Sequence, residues 1–499
     1  MFVDFSLEQV QQQLRTGELT SCSLTEYFLA GIESLDYNGL SLHSVIETNP
    51  DALAIADDLD SSLSAGRRLG PLHGIPVLVK DNIDTGDRMH TSAGSLALAD
   101  APALRDAFVV ERLRAAGALI LGKTNMSEWA NFRGKHSISG WSARGGQCLN
   151  PYVLNRSPCG SSSGSAVAVA ANLCAVSIGT ETDGSIVCPA SMNCVVGLKP
   201  TVGLVSRSGV VPIAHSQDTV GPMGRTVQDV AILLNVIAGP DPDDPATKLA
   251  EGKIESDYTS FLNPGALDGS RVGVARKFFG INAIADRVIN RSLDLMKEMG
   301  AIIINPIDLP SGEQLNASER EVLTYEFKAD LNEYLKSRGD SVLYHSLSDV
   351  IAFNENHRSK EMPYFEQEWM IEANSKGSLN EESYLDALNE NHRLSREEGI
   401  DAVMEKHGLD AIVAPTTGPA WLIDFVNGDY DSGGCSQPSA IAGYPHITVP
   451  AGFVQGLPVG ISFFGSAWSE PTLLGLAYDF EQATRVRKPP SFLRTTLDG

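Results

Sequence analysis

The feature that most constrains this chain is a series of short, unbroken apolar runs. Ile75 to Val79, Ala118 to Leu121, Ala175 to Ile178, Val272 to Ala275, Ala301 to Ile304, Ala411 to Ala414 and Ile447 to Val449 lack the apolar/polar alternation of a strand with one wet face. A strand that is apolar on both sides has to be covered on both sides. The intervening segments supply that cover, since Asp106 to Ala116, Ser163 to Leu173, Asp286 to Met299 and Pro471 to Thr484 carry apolar residues at helical spacing. Continuous apolar strands separated by such helices predict an α/β fold with a sheet buried on both faces.

The texture changes along the chain and suggests four stretches. Residues 1–70 read as surface helices packed on the core: Ser6 can cap Leu7 to Arg15, and Leu24 to Leu35 and Asp51 to Leu63 follow. The strand-and-helix pattern occupies 70–308. From 309 to 407 the chain becomes charged and helical, as in Glu319 to Arg338 and Glu381 to Lys406, and the strand pattern resumes in 408–499. The charged stretch is therefore expected to be a helical excursion from one sheet.

Composition excludes several partners. A net charge of −24 argues against a nucleic-acid groove or an anionic membrane surface, both of which reward clustered Lys and Arg. No run approaches the roughly 18 apolar residues of a membrane span. The start, Met1 to Ser6, lacks the basic and apolar regions of a secretion signal, so a cytoplasmic protein is expected, or a periplasmic one if a leader has been removed. Seven cysteines without a Cys-x-x-Cys pair suggest neither zinc nor redox chemistry; small buried thiols in a reducing compartment are expected.

Chemistry concentrates in two Gly/Ser-rich segments. Pro158 to Ser165 reads Pro-Cys-Gly-Ser-Ser-Ser-Gly-Ser, and Gly179 to Ser185 reads Gly-Thr-Glu-Thr-Asp-Gly-Ser. A helix and a strand's worth of residues separate them, so both can fold back into one site. Small residues there let backbone N–H groups approach a ligand, as an oxyanion hole requires. Gly160 to Gly164 also fits the G-x-S-x-G elbow with Ser162 as nucleophile. The preceding Leu149 to Pro158, with two prolines and two asparagines, makes a poor buried strand for that motif. A third segment, Gly74 to Asp84, ends an apolar run on Lys80. Delivered into a dry pocket, its ammonium would be disfavoured by desolvation, and the neutral amine could take a proton from serine.

At these residues the chain resembles the amidase signature hydrolases. The resemblance rests on Gly74-Ile75-Pro76 running into Lys80-Asp81-Asn82, on Gly122 to Met126, on Gly160 to Ser165, and on Gly179 to Ser185. It continues through Gly197 to Gly203, Asp218 to Pro222 and Gly456 to Gly460. It implies a single large domain with a central twisted mixed β-sheet covered by helices on both faces. It also implies a Ser-cisSer-Lys triad, with Ser185 as nucleophile, Ser161 as the bridging serine and Lys80 as base, and an oxyanion hole of the Thr182, Asp183, Gly184 and Ser185 N–H groups. No metal or organic cofactor is implied. His73, His90, His136, His215 and His446 lie near these blocks, but the family uses no histidine as base, and they are expected to be polar lining or structural.

Departures from the family pattern bear on substrate. Many members, the A-type chain of glutamyl-tRNA amidotransferase among them, read Gly-Gly-Ser-Ile-Arg around the nucleophile, whereas here Asp183-Gly184-Ser185-Ile186-Val187 stands. Val187 occupies the place of an arginine that could pair with a substrate carboxylate. The segment from Thr180 to Ala190 looks like the peptide amidase branch, which removes the C-terminal amide of amidated peptides. The expectation is a serine amidohydrolase that releases ammonia from a peptide or small-molecule amide, as a monomer or homodimer. The alternatives are a small-amide or fatty-amide hydrolase, a partner-dependent amidotransferase subunit or a non-catalytic binding module. Ser162 and Asp183 are candidate substrate contacts; Asp183 could accept an amide N–H, or its side chain could satisfy its own turn.

Overall fold

The computed structural model describes residues 5–67, 70–310, 313–430 and 433–498; Met1 to Asp4 of the N-terminal stretch read above lie outside them. Among the described residues eleven strands form one mixed sheet: β1 (Val45–Thr48), β2 (Pro76–Lys80), β3 (Leu119–Thr124), β4 (Val176–Glu181), β5 (Val196–Lys199), β6 (Thr219–Gly224), β7 (Arg271–Ala275), β8 (Ile302–Ile307), β9 (Ala411–Pro415), β10 (His446–Val454) and β11 (Leu457–Phe464). Their order is β1-β3-β2-β4-β6-β5-β10-β11-β9-β7-β8. β3, β2 and β4 run parallel, as do β9, β7 and β8, and the strands between them are antiparallel. Every residue of β2, β3, β4, β5, β6, β9 and β11 is buried, which requires cover on both faces. The chain is thus a single α/β domain, and all seven apolar runs fall on strands.

The N-terminal stretch departs from the all-helical expectation in one place. Ser6 and Thr20 open helices Leu7–Thr16 and Ser21–Gly31 with reciprocal capping boxes, and Ala52–Ser64 is helical. Val45–Thr48, however, is an edge strand paired antiparallel with β3. Its four residues are too few, and too polar, to show an apolar run. β10 and β11 are joined through Gln455 and Gly456, both at positive φ, as a two-residue hairpin with right-handed twist needs.

Between β8 and β9 the chain leaves the sheet for the long helix Glu313–Ser337 and a set of shorter helices, then returns to pair β9 with β7 and β11. Polar contacts hold these helices to the core. Tyr334 donates its hydroxyl hydrogen to Asp84 at 2.9 Å, and Gln217 donates to Glu319 at 3.1 Å. Among the described residues no helix is long and apolar enough to cross a membrane.

Candidate active site

Lys80 closes β2, the middle of three parallel strands, at the carboxyl edge where an α/β sheet presents its loops. Its side chain is 0% exposed. Nζ lies 2.7 Å from Ser161 Oγ, 2.8 Å from Thr180 Oγ1 and 3.2 Å from the Thr180 carbonyl. A neutral amine has two hydrogens and one lone pair. The two Thr180 oxygens take the hydrogens, leaving the lone pair facing the Ser161 hydroxyl. Asn82 Nδ2 donates to Thr180 Oγ1 at 3.0 Å and fixes that hydroxyl from the other side. Burial pulls Lys80 down to about 7, against the opposing pull of Asp218 and Glu181.

The serine-rich segment holds four hydroxyls of identical chemistry, and their partners separate them. Ser162 donates to the Thr180 carbonyl (2.9 Å) and accepts the Thr180 N–H (3.2 Å); Ser163 donates to the Cys159 carbonyl (2.6 Å), and Ser165 to that of Ile178 (3.0 Å). Ser161 is the one that meets Lys80. The Gly160–Ser161 peptide is cis, and its loop is tightly held: a Cβ on Gly160 would lie 2.1 Å from Ser127 Oγ, and the Ser127 N–H donates to the Ser161 carbonyl at 3.1 Å. The arrangement leaves Ser162 without the free hydroxyl that the elbow reading needs. It also turns the Ser162 side chain toward β4 rather than toward a ligand.

The turn after β4 brings the Ser185 backbone beside the same serine loop. The Ser162 N–H donates to the Ser185 carbonyl at 3.0 Å, so the two serine loops share a backbone bond. Gly184 adopts a φ of +76°, a left-handed turn that reverses the chain after the strand. Glu181 steadies that reversal by accepting the N–H groups of Ile186 (2.7 Å) and Val187 (3.0 Å). The N–H groups of Asp183 and Ser185 meet no acceptor among the described residues, whereas that of Gly184 is turned toward the Glu181 carboxylate. Thr182 donates its hydroxyl hydrogen to Asp218, which also accepts the Ile213 and Ala214 N–H groups. Burial raises Asp218 to about 6 in spite of these donors.

Beside the serines lies a cavity of about 750 Å³ whose wall includes Gly160, Asp183 and Gly184, the neighbours of Ser161 and Ser185. Val187 lines it at the place of the family arginine, and Trp421 and Ser436 line it too. Of the five histidines, His136 is on this wall. His73 pairs with the Leu59 carbonyl, His90 with Glu47, and His446 with Ser439 and Ser462. His215 lies between Asp330 (2.9 Å) and Glu326 (3.3 Å), the one group among the described residues that could hold a metal ion. Burial works against its charge, but the two carboxylates outweigh burial and raise it, as an imidazolium ion pair requires.

The cysteines correct an expectation. Cys159 and Cys188 form a disulfide with Cα atoms 6.0 Å apart, while Cys22, Cys148, Cys174, Cys194 and Cys435 form no disulfide among the described residues. The partners are 29 residues apart, a spacing that carries no signal of its own; the fold brings the loop before Ser161 against the helix after Ser185. With that bond present, the cysteines no longer point to a reducing compartment. Thr180, Asn82, Glu181 and Asp218 are the functional neighbours that the residue pattern did not single out. All four lie inside or beside the motif blocks, and a strand-end position next to Lys80 or Ser185 was the available clue.

A family model described as Amidase matches residues 23–474. The chain is 50% identical to the peptide amidase of Stenotrophomonas maltophilia, whose crystal structure superposes with a TM-score of 0.93 over 98% of this chain and 99% of that one. It is 45% identical to a probable amidase of Arabidopsis thaliana over 98% of this chain and 91% of the relative. It is also 35% identical to a chain of the glutamyl-tRNA(Gln) amidotransferase of Acaryochloris marina, over 97% and 98% of the two chains.

Proposed function

The chain belongs to the amidase signature family and is an amidase; from that premise we propose that it hydrolyses the C-terminal amide of amidated peptides and releases ammonia. The observation that carries this reading is the 2.7 Å contact between a fully buried lysine and the Ser161 hydroxyl. In the proposed reaction neutral Lys80 takes the Ser161 proton as Ser161 takes that of Ser185. Ser185 Oγ then bonds to the amide carbon. The charge that develops on the carbonyl oxygen is met by the open N–H groups of the Thr182 to Ser185 turn, each worth about 3 kcal/mol. Collapse breaks the C–N bond, and the relay returns the proton to the departing ammonia. Water repeats the attack on the acyl-enzyme, yielding the free acid and restoring Ser185.

Val187 supports a substrate without a carboxylate at the scissile end, and a cavity of about 750 Å³ supports one the size of a short peptide. The similarity to the amidotransferase chain favours a second reading, a subunit that works only with a partner. Ammonia release from an amidated dipeptide by the isolated chain tests both. Release from that peptide, with none from its free acid, supports the hydrolase. Cleavage of internal peptide bonds rejects the exo-amidase reading, and turnover that needs a partner chain favours the second.

A further inference from the structure

Asp183 has an unusual position for an acidic residue. It follows Thr182 on the turn that carries Ser185, lines the cavity, and has one carboxyl oxygen, Oδ1, closed to solvent with no hydrogen-bond partner among the described residues. The Ser436 hydroxyl lies near the same carboxyl and favours its charged form. A buried oxygen left without a donor is costly, and in a functional cavity it is accounted for by a donor that arrives with the ligand.

A second carboxyl stands near Asp183, because Gln217 Nε2 donates both to the carbonyl of neighbouring Thr182, at 3.3 Å, and to Glu319. Glu319, buried in the long helix Glu313–Ser337, accepts from Gln217 Nε2 at 3.1 Å and from Gln437 Nε2 at 2.9 Å. Neither carboxyl forms an ion pair among the described residues. Burial raises Asp183 well above the usual carboxylate range, and the field of Glu319 adds to it; Lys199 offsets part of this through space. Lys135, which shares the cavity wall, directs its ammonium over the Trp369 ring, 5.3 Å from the centroid. The wall next to Ser185 thus offers the unpartnered Asp183 oxygen, and at the family's arginine position it is the apolar Val187.

We propose that Asp183, with Glu319 near it, sets the specificity of this site: its free oxygen accepts an N–H, ammonium or amide, on the carbon next to the scissile carbonyl. The inference rests on the hydrolase reading, since it takes the carbonyl to sit at the turn of Thr182 to Ser185. The substrate class it names is the amides of α-amino acids and of peptides, as against plain aliphatic amides.

The test compares kcat/KM for leucinamide, N-acetyl-leucinamide and 4-methylpentanamide, which has the same skeleton without the α-nitrogen. Wild type is expected to favour the two nitrogen-bearing amides by roughly 10- to 100-fold. Asp183→Asn, shown folded by fluorophosphonate labelling of Ser185, should lower the leucinamide to 4-methylpentanamide ratio about tenfold and affect N-acetyl-leucinamide less, because the Asn side-chain oxygen still accepts a neutral N–H. Glu319→Gln should move the ratio the same way by a smaller factor, and decides the matter if Asp183→Asn does not fold. An unchanged ratio in the folded variant overturns the proposal while leaving the hydrolase reading intact. Wild type that hydrolyses none of the three amides overturns both.

Discussion

Lys80 ends β2 and Lys123 stands one residue before the end of neighbouring β3; both are 0% exposed, and both are pulled down by burial, to about 7 and about 8. The register of β2 and β3 pairs Val79 with Lys123, and paired residues share a face of the sheet, so the two lysines leave on opposite faces. Lys123 meets the Ile83 carbonyl and Thr91 Oγ1, acceptors that tie down the loop after β2, and Asp81, Asp84 and Asp87 hold its charge up. Lys80 meets a serine hydroxyl instead, with a cavity beyond the serine loops. Burial lowers both amines. A proton-donating partner with room for substrate nearby is what separates a base from a strut.

The largest expected effect is on the Lys80 face. Lys80→Met and Ser185→Ala should each lower kcat by about 10³-fold or more in a steady-state ammonia assay, with the folded state retained in both. Near-wild-type turnover in Lys80→Met would break the comparison at its root. The same face carries a covalent clamp, and Cys188→Ser should cost about 3 kcal/mol of stability in guanidinium unfolding, from the 29-residue loop that the disulfide closes.

Lys123→Met sharpens the contrast. It strands the Ile83 carbonyl and the Thr91 hydroxyl and is expected to cost about 2 kcal/mol, with kcat within about threefold of wild type. A catalytic defect in a stably folded Lys123→Met protein would erase the distinction. The gentlest test is titration. kcat/KM should rise with pH through about 7 as Lys80 loses its proton, then level. Stability carries its own sign. Between about 8 and 10.5 the unfolded chain binds more protons at both lysines than the folded one, so unfolding free energy should increase with pH across that window and fall as pH drops through it. Guanidinium titrations at the two ends of the window measure it.

Much of this was legible in residue order, because apolarity and period are local properties. An apolar run that ends on lysine, two Gly/Ser-rich segments, and amphipathic helices between strands carry the fold class and the neighbourhood of the site in the residues themselves. Val45–Thr48 escaped because a four-residue edge strand shows no run.

What no stretch of sequence contains is direction. Ser161, Ser162, Ser163 and Ser165 are chemically the same, and only the cis turn and the partners on β4 decide which one faces Lys80. The face on which Lys80 and Lys123 emerge follows from strand register, the Cys159–Cys188 bond from the packing of two loops, and the closeness of Glu319 to Asp183 from the path of a helix that leaves the sheet and comes back. Those are relations between distant parts of the chain, and they exist only once the backbone hydrogen bonds and the buried core have brought the parts together.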